Sequence, residues 1–233
     1  MLVITFALAA ESSGLIELLS EKQTSYFNGD KIIYGKINTV AVGILHTGVG
    51  AKTCKPRITT LLRNVQPDLL ISGGFAGSTS DEFKPGDLIL AENFSDERLL
   101  GEARQALVSR NARAAKLFTS TKVVDSGEER NQIAREKGAA AVDMETAIIA
   151  SACASHQVPM LSLRVITDSL SEPLPAPPGV LFDIEQQRTN LAKLIPYLLR
   201  YPGATWHLLR FARQIARARR VLTNAVATLV REL

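Results

Sequence analysis

Three acids stand where a chain of this kind could do chemistry. Glu11 follows a short apolar run, Glu145 closes the tetrad Val142-Asp143-Met144-Glu145, and Asp168 ends the run Leu161-Ser162-Leu163-Arg164-Val165-Ile166-Thr167. A carboxyl at the end of a buried apolar strand is poorly solvated, so it can hold a proton near neutrality and give it up as an acid. For Asp168 the alternative is a helix N-cap. Glu11 is open in the same way, as a base at a strand end or the first acid of a helix. In the tetrad, a carboxylate at the first turn of a helix can accept hydrogen bonds from two vicinal hydroxyls of a ribose. Met144 would then supply a soft apolar contact. The alternative is that Asp143 and Glu145 are acids favoured at a helix N-terminus by the dipole.

Two glycine segments, Gly48-Val49-Gly50 and Gly73-Gly74-Phe75-Ala76-Gly77, are predicted at strand ends. Glycine there lets the backbone approach a ligand and present N–H groups, or serves a tight turn of positive φ. Neither segment is a nucleotide signature. A P-loop needs Lys directly after Gly, and Ala51 separates Gly50 from Lys52; the second segment does not spell G-x-G-x-x-G. Cys54 and Cys153, with His46, His156 and His207, make neither a disulfide framework nor a zinc site. No metal and no cofactor is expected.

The elements that must position these residues alternate. Strands are predicted at 2–8, 32–37, 39–45, 68–72, 88–91, 139–143 and 159–167, and helices at 12–21, 51–63, 97–109, 128–137 and 144–155. Such alternation predicts an α/β fold, three-layered α/β/α around a central mixed, largely parallel twisted sheet. Ligands of such sheets gather at the carboxyl ends of strands. Residues 172–183 hold four prolines and Gly179, so they read as a connector or a loop over the site.

The 233 residues, 46% hydrophobic and 21% charged, suffice to bury a core without disulfides. No run of about 18 apolar residues predicts a spanning helix. Met1-Leu2-Val3-Ile4 lacks the basic flank of a signal peptide, so a cytoplasmic location is expected. The net charge of +4 is unevenly placed: residues 200–233 carry +6, with seven arginines against Glu232, and residues 1–199 carry −2. That asymmetry divides the chain into an α/β domain, 1–199, and a basic amphipathic helical extension, 200–233.

Five segments in order resemble the nucleoside phosphorylase/nucleosidase superfamily. They are Ala7-Leu8-Ala9-Ala10-Glu11, Thr47-Gly48-Val49-Gly50, Ser72-Gly73-Gly74-Phe75-Ala76-Gly77, Val142-Asp143-Met144-Glu145 and Ile166-Thr167-Asp168-Ser169. In the methylthioadenosine/adenosylhomocysteine nucleosidase branch, the resemblance implies that Glu11 activates the attacking water and that Asp168 donates a proton toward N7 of the purine. Glu145 would bind the ribose diol with Met144 against the sugar, and Gly50, Gly74, Phe75 and Val142 would complete the substrate site. Phosphorylases of the superfamily hold phosphate with arginines, including early ones. Here the first arginine is Arg57, which favours hydrolysis over phosphorolysis unless Arg57 or Arg98 compensates. Two departures stand out: Phe75 replaces a small or hydroxyl residue, and Ser126-Gly127-Glu128-Glu129-Arg130 lacks the aromatic of the usual purine-stacking segment.

The segments 126–130 and 138–145 and the tail after Arg200 resemble more narrowly the hopanoid-associated nucleosidases/phosphorylases. That branch implies an adenosylhopane-like substrate. Enzymes of the superfamily are dimers, trimers or hexamers, and a nucleosidase-like chain without phosphate arginines implies a homodimer; no nucleic-acid partner is expected. Phosphorolysis, or a catalytically silent nucleoside-binding or membrane-peripheral protein, is the alternative function. In the tail, at about 100° per residue, Leu208, Phe211, Ile215, Leu222, Val226 and Leu229 share one stripe, opposite Arg210, Arg213, Arg217, Arg220 and Arg231. Such a helix would lie on an anionic membrane surface or pack its stripe on the domain.

Overall fold

The computed structural model describes residues 1–233. Its centre is a sheet built on β1 (Leu2–Phe6), β4 (Val40–His46), β5 (Leu69–Ser78) and β10 (Met160–Asp168), which run parallel in the order β4-β1-β5-β10. The antiparallel meander β2 (Ser20–Phe27), β3 (Asp30–Ile37) and β4 extends one edge. On the other, β6 (Leu88–Ala91) pairs antiparallel with β10, and β7 (Arg113–Ala115) parallel with β6. Two short strands, β8 (Leu117–Thr119) and β9 (Ala141–Asp143), join through the end of β5. The architecture is the expected three-layer α/β/α with a mixed sheet.

The continuous apolar runs arise because both faces of the sheet are covered. On β1, Leu2, Ile4 and Phe6 enter one core and Val3 the opposite one. The first face lies under α1 (Ala9–Glu17), α3 (Glu97–Ala106) and α8 (Ala204–Glu232), the second under α2 (Ala51–Val65) and α5 (Thr146–Ser155). A further helix, α4 (Gly127–Lys137), is N-capped by the Ser126 hydroxyl and packs Ile133 against Val124 and Val142. Residues 172–183 are mostly irregular but include the four-residue α6 (Pro178–Leu181). A hairpin, β11 (Phe182–Asp183) with β12 (Arg188–Thr189), and α7 (Leu191–Arg200) follow.

Two expectations are revised. The first helix begins at Ala9 and ends at Glu17, and residues predicted as its last turn open β2. The glycine run is not a turn after a strand: β5 continues through it to Ser78, and Gly73, Gly74 and Gly77 are absent from the positive-φ glycines. The extension expected after residue 200 is the long helix α8 (Ala204–Glu232). The second half of α8 buries Ala218, Leu222, Ala225, Val226, Leu229 and Val230 in the main core, so half of the predicted stripe, Leu222, Val226 and Leu229, faces the domain, the burial expected of an amphipathic helix. No helix is long and apolar enough to cross a membrane.

Candidate active site

The carboxyl ends of β1, β4 and β10 and the glycine segment of β5 converge. Strand β1 pairs with β5 only as far as Ser72, after which β5 runs on alone along that side. Its next N–H groups lack a strand partner there, and a side chain takes over: Glu11 Oε1 accepts the Phe75 N–H at 2.9 Å, while Oε2 accepts the Leu8 N–H at 2.8 Å. Glycine at 74 eases this approach, since a Cβ would lie 3.2 Å from Glu11 Oε1, tighter than an ordinary contact. Burial pushes the Glu11 carboxyl above its usual range, opposed by the N–H groups of Leu8 and Phe75 and by the Arg164 charge. The neighbouring Ser12 bonds His46 Nε2 at 2.6 Å and so ties α1 to the end of β4. Burial, with Lys31 and Arg57, holds that imidazole below its ordinary pKa.

Glu145 stands at the N-cap of α5 and is buried. Its Oε1 accepts the Gly50 N–H at 2.7 Å. Gly50 has φ 80°, a left-handed backbone that aims this N–H inward without the Cβ clash of other residues. Burial and then the nearby Asp143 charge push Glu145 up to about 8, against the pull of the Gly50 hydrogen bond. Asp143 is fully engaged. It accepts from Thr119 Oγ1 at 2.8 Å, from the Thr146 N–H at 3.1 Å and hydroxyl, and from Arg164 Nε and Nη2 at 3.1 Å each. The tetrad thus splits: Asp143 takes the helix N-terminus and the ion pair, and Glu145 keeps its second oxygen free of protein partners.

Arg164 escaped the sequence reading. It lies in β10 among apolar residues, and its guanidinium also reaches the Ser72 carbonyl at 2.6 Å, the Ser72 hydroxyl at 3.0 Å and Thr146 Oγ1 at 2.6 Å. The signal was an arginine inside a run too apolar to be exposed, which must be paired if buried. Glu11, Gly74, Phe75, Glu145 and Arg164 together line a void of about 10 Å³, the scale of one water molecule.

Asp168 is also buried, but on another wall. One oxygen is ion-paired with Arg130 of α4 and the other accepts the Thr167 hydroxyl at 2.8 Å. The poorly solvated carboxyl expected from the sequence is thus buried and also paired. Asp168, Arg130, Val142 and Met144 line a cavity of about 150 Å³. Met144 also borders a mouth of about 590 Å³ with Val49, Gly50, Arg57 and Ile184. The eight expected site residues thus line three voids: Glu11, Gly74, Phe75 and Glu145 the smallest, Val142, Met144 and Asp168 the second, and Gly50 and Met144 the mouth, so that Met144 borders two of them. Arg57 is already paired with Asp30 at 2.9 Å, and Arg98 forms an exposed pair with Glu102 on α3. No group of His, Cys, Asp and Glu could hold a metal. Burial pushes the Cys54 and Cys153 thiols up to about 12, far from nucleophilic use.

A family model described as the phosphorylase superfamily matches residues 2–112 and 92–201. Among curated proteins, a 5′-methylthioadenosine/S-adenosylhomocysteine nucleosidase of Haemophilus ducreyi is 27% identical over 192 residues, covering 70% of this chain and 82% of its own. One of Actinobacillus succinogenes is 25% identical over 194 residues, covering 71% and 84%. Among solved structures, the Streptococcus pneumoniae MTA/SAH nucleosidase in complex with 8-aminoadenine superposes with a TM-score of 0.76. It shares 18% identity and covers 100% of this chain and 99% of its own. Native futalosine hydrolase of Helicobacter pylori superposes equally well, at 0.76 and 17% identity, over 100% and 97%.

Proposed function

The chain belongs to the phosphorylase superfamily, and on that premise we propose that it hydrolyses the N-glycosidic bond of an adenine nucleoside. The observation that carries this reading is the water-sized void shared by Glu11, Glu145 and Arg164. Glu11 takes the proton of an attacking water. Its raised pKa brings this carboxylate base nearer the pH at which it works. The free oxygen of Glu145 accepts from the ribose hydroxyls and holds the sugar against the site. As the C1′–N9 bond breaks, its electron pair moves onto the purine, and Asp168 passes a proton to the ring. Phosphate would need a larger cavity and an arginine with N–H groups to spare. Arg164 directs its N–H groups to Asp143, Ser72, Leu163 and Thr146, which favours water over phosphate.

The test is release of free adenine from adenosine and methylthioadenosine, with and without phosphate. Release that needs no phosphate, and that is lost in Asp168→Asn with nucleoside binding kept within about tenfold, supports hydrolysis. Strict phosphate dependence makes the chain a phosphorylase, and no release from any purine nucleoside sinks the enzymatic reading.

The finer substrate is an adenine nucleoside with a bulky apolar 5′ group, such as adenosylhopane. The wide mouth beside Met144 and Ile184 supports it. A substrate of that kind must be met at a membrane surface, and the contact belongs to α7 and the first half of α8. There Leu191, Ile195, Leu199, Trp206 and Leu209 are exposed, and no acid occurs between Glu185 and Glu232. Basic residues near an anionic surface contribute about 1 kcal/mol each. Sedimentation with vesicles containing anionic lipid, lost when Leu199→Ser is combined with Trp206→Ser, tests the contact; a wild type that ignores such vesicles at low salt disproves it.

A further inference from the structure

Arg130 enters the base wall as a buried cation that the scheme above does not use. It is 2% exposed. Its Nε and Nη2 donate to the Val124 carbonyl at 3.1 and 3.0 Å, Nη1 donates to the Ser78 carbonyl at 3.1 Å, and Nη2 also reaches Asp168 Oδ2. Four of the five N–H groups a guanidinium carries are thereby directed, so the plane of the fork is fixed by two main-chain oxygens. Strand β5 makes room for the pair. A Cβ at Gly77 would lie 2.9 Å from Asp168 Oδ2 and 3.1 Å from Arg130 Nη2. Helix α4, strand β5 and strand β10 are thus shaped around one ion pair, which opens on the cavity that Val142 and Met144 share.

A buried ion pair is weak evidence of stabilisation, because desolvation offsets much of the attraction. What this one does determine is geometry. Arg130 takes Oδ2, the Thr167 hydroxyl steadies Oδ1 at 2.8 Å, and Oδ1 is left as the oxygen that can serve a ligand. We propose that Arg130 is a positioning residue for departure of the base, acting through Asp168. This rests on the nucleosidase reading above. With Asp168 protonated on Oδ1 and still bonded to Arg130 through Oδ2, the electron pair of the broken C1′–N9 bond goes to the purine, the proton passes from Oδ1 to a ring nitrogen, and the carboxylate left behind completes its ion pair with Arg130. A fixed cation aimed where charge develops stabilises the transition state without reorganisation.

The test uses the full chain as wild type, Arg130→Met, Arg130→Lys, Asp168→Asn and the double variant Arg130→Met/Asp168→Asn. Two substrates separate base departure from sugar chemistry: methylthioadenosine, and 4-nitrophenyl riboside, whose leaving group needs no proton. Arg130→Met should lower kcat on methylthioadenosine by about 10²–10³-fold, with KM changed far less, while the nitrophenyl riboside stays within about tenfold of wild type. Arg130→Lys should recover at least about a tenth of wild-type kcat by restoring the charge. The double variant should be no worse than Asp168→Asn alone, since residues acting as a unit are not additive. Equal losses on both substrates, or additive losses in the double variant, overturn the proposal. Should Arg130→Met fail to fold, Arg130→Gln keeps a donor toward the Ser78 or Val124 oxygen without the charge and takes its place. A wild type that releases no adenine from methylthioadenosine overturns the nucleosidase reading and this proposal with it, whereas turnover that Arg130→Met leaves unchanged overturns this proposal alone.

Discussion

Glu145 holds a position that water alone would not choose for a carboxylate. It is buried beside Asp143 and feels Glu11 as well, with the Gly50 N–H as its one direct partner. Its carboxyl is pushed up to about 8 from 4.5, so the folded chain holds this proton more tightly than the unfolded one. Stability tied to that proton is fully present below about 4.5 and is lost as pH rises through about 8. Glu145→Gln mimics the neutral form and can still accept from Gly50. Its melting temperature relative to wild type should therefore climb by several degrees between pH 5 and about 8; a flat difference would show that Glu145 is ionised throughout in the folded chain. The types and order of Glu11, Glu145 and Asp168 were legible because carboxylates at strand ends follow from the alternating pattern. Their partners were not. Arg130 reaches Asp168 across 38 positions and Arg164 reaches Asp143 across 21, and no local spacing encodes such pairs.

Among the elements, α8 shows how one periodicity serves two environments. Its polar and apolar faces were readable from the sequence, but what covered the apolar face was not, since a membrane, a partner and the chain's own sheet demand the same stripe. The structure divides it along its length. Leu222, Val226 and Leu229 are fully buried, whereas Trp206 and Leu209 are exposed. Leu222→Ala should destabilise the fold by about 2–5 kcal/mol through the cavity it leaves. Leu199→Ser and Trp206→Ser should each change stability by less than about 0.5 kcal/mol, as exposed positions do. Chemical denaturation measures both, and a large loss at Trp206 would mean that the first half of α8 is packed too. The glycine segment carries a similar lesson. Closely spaced glycines suggested a turn, yet their work is close approach, and only a neighbouring strand that stops early explains it.

For the whole molecule, the strand–helix alternation sufficed for the α/β/α layers, because continuous apolar runs are needed only when both faces of a sheet are covered. It left open how the segment after residue 200 meets the domain, since a change of charge composition says nothing of packing. Removing residues 204–233 should abolish cooperative unfolding, for it strips Leu222, Val226 and Leu229 from the largest core. A truncated chain that still melts in one sharp transition by calorimetry would return α8 to the status of an appendage. The same helix bears directly on the site, because it lies against α1, the helix that carries Glu11. Thr223 packs so closely on Gly14 that a Cβ there would lie 2.6 Å from its Oγ1, and Arg219 bonds Ser13 at 3.1 Å across 206 positions. During synthesis, α1 leaves the ribosome some two hundred residues before the helix that supports it. Until α8 arrives, the apolar side of α1 has no cover and Glu11 has no fixed bearing, a delay of the kind that makes nascent chains clients of chaperones.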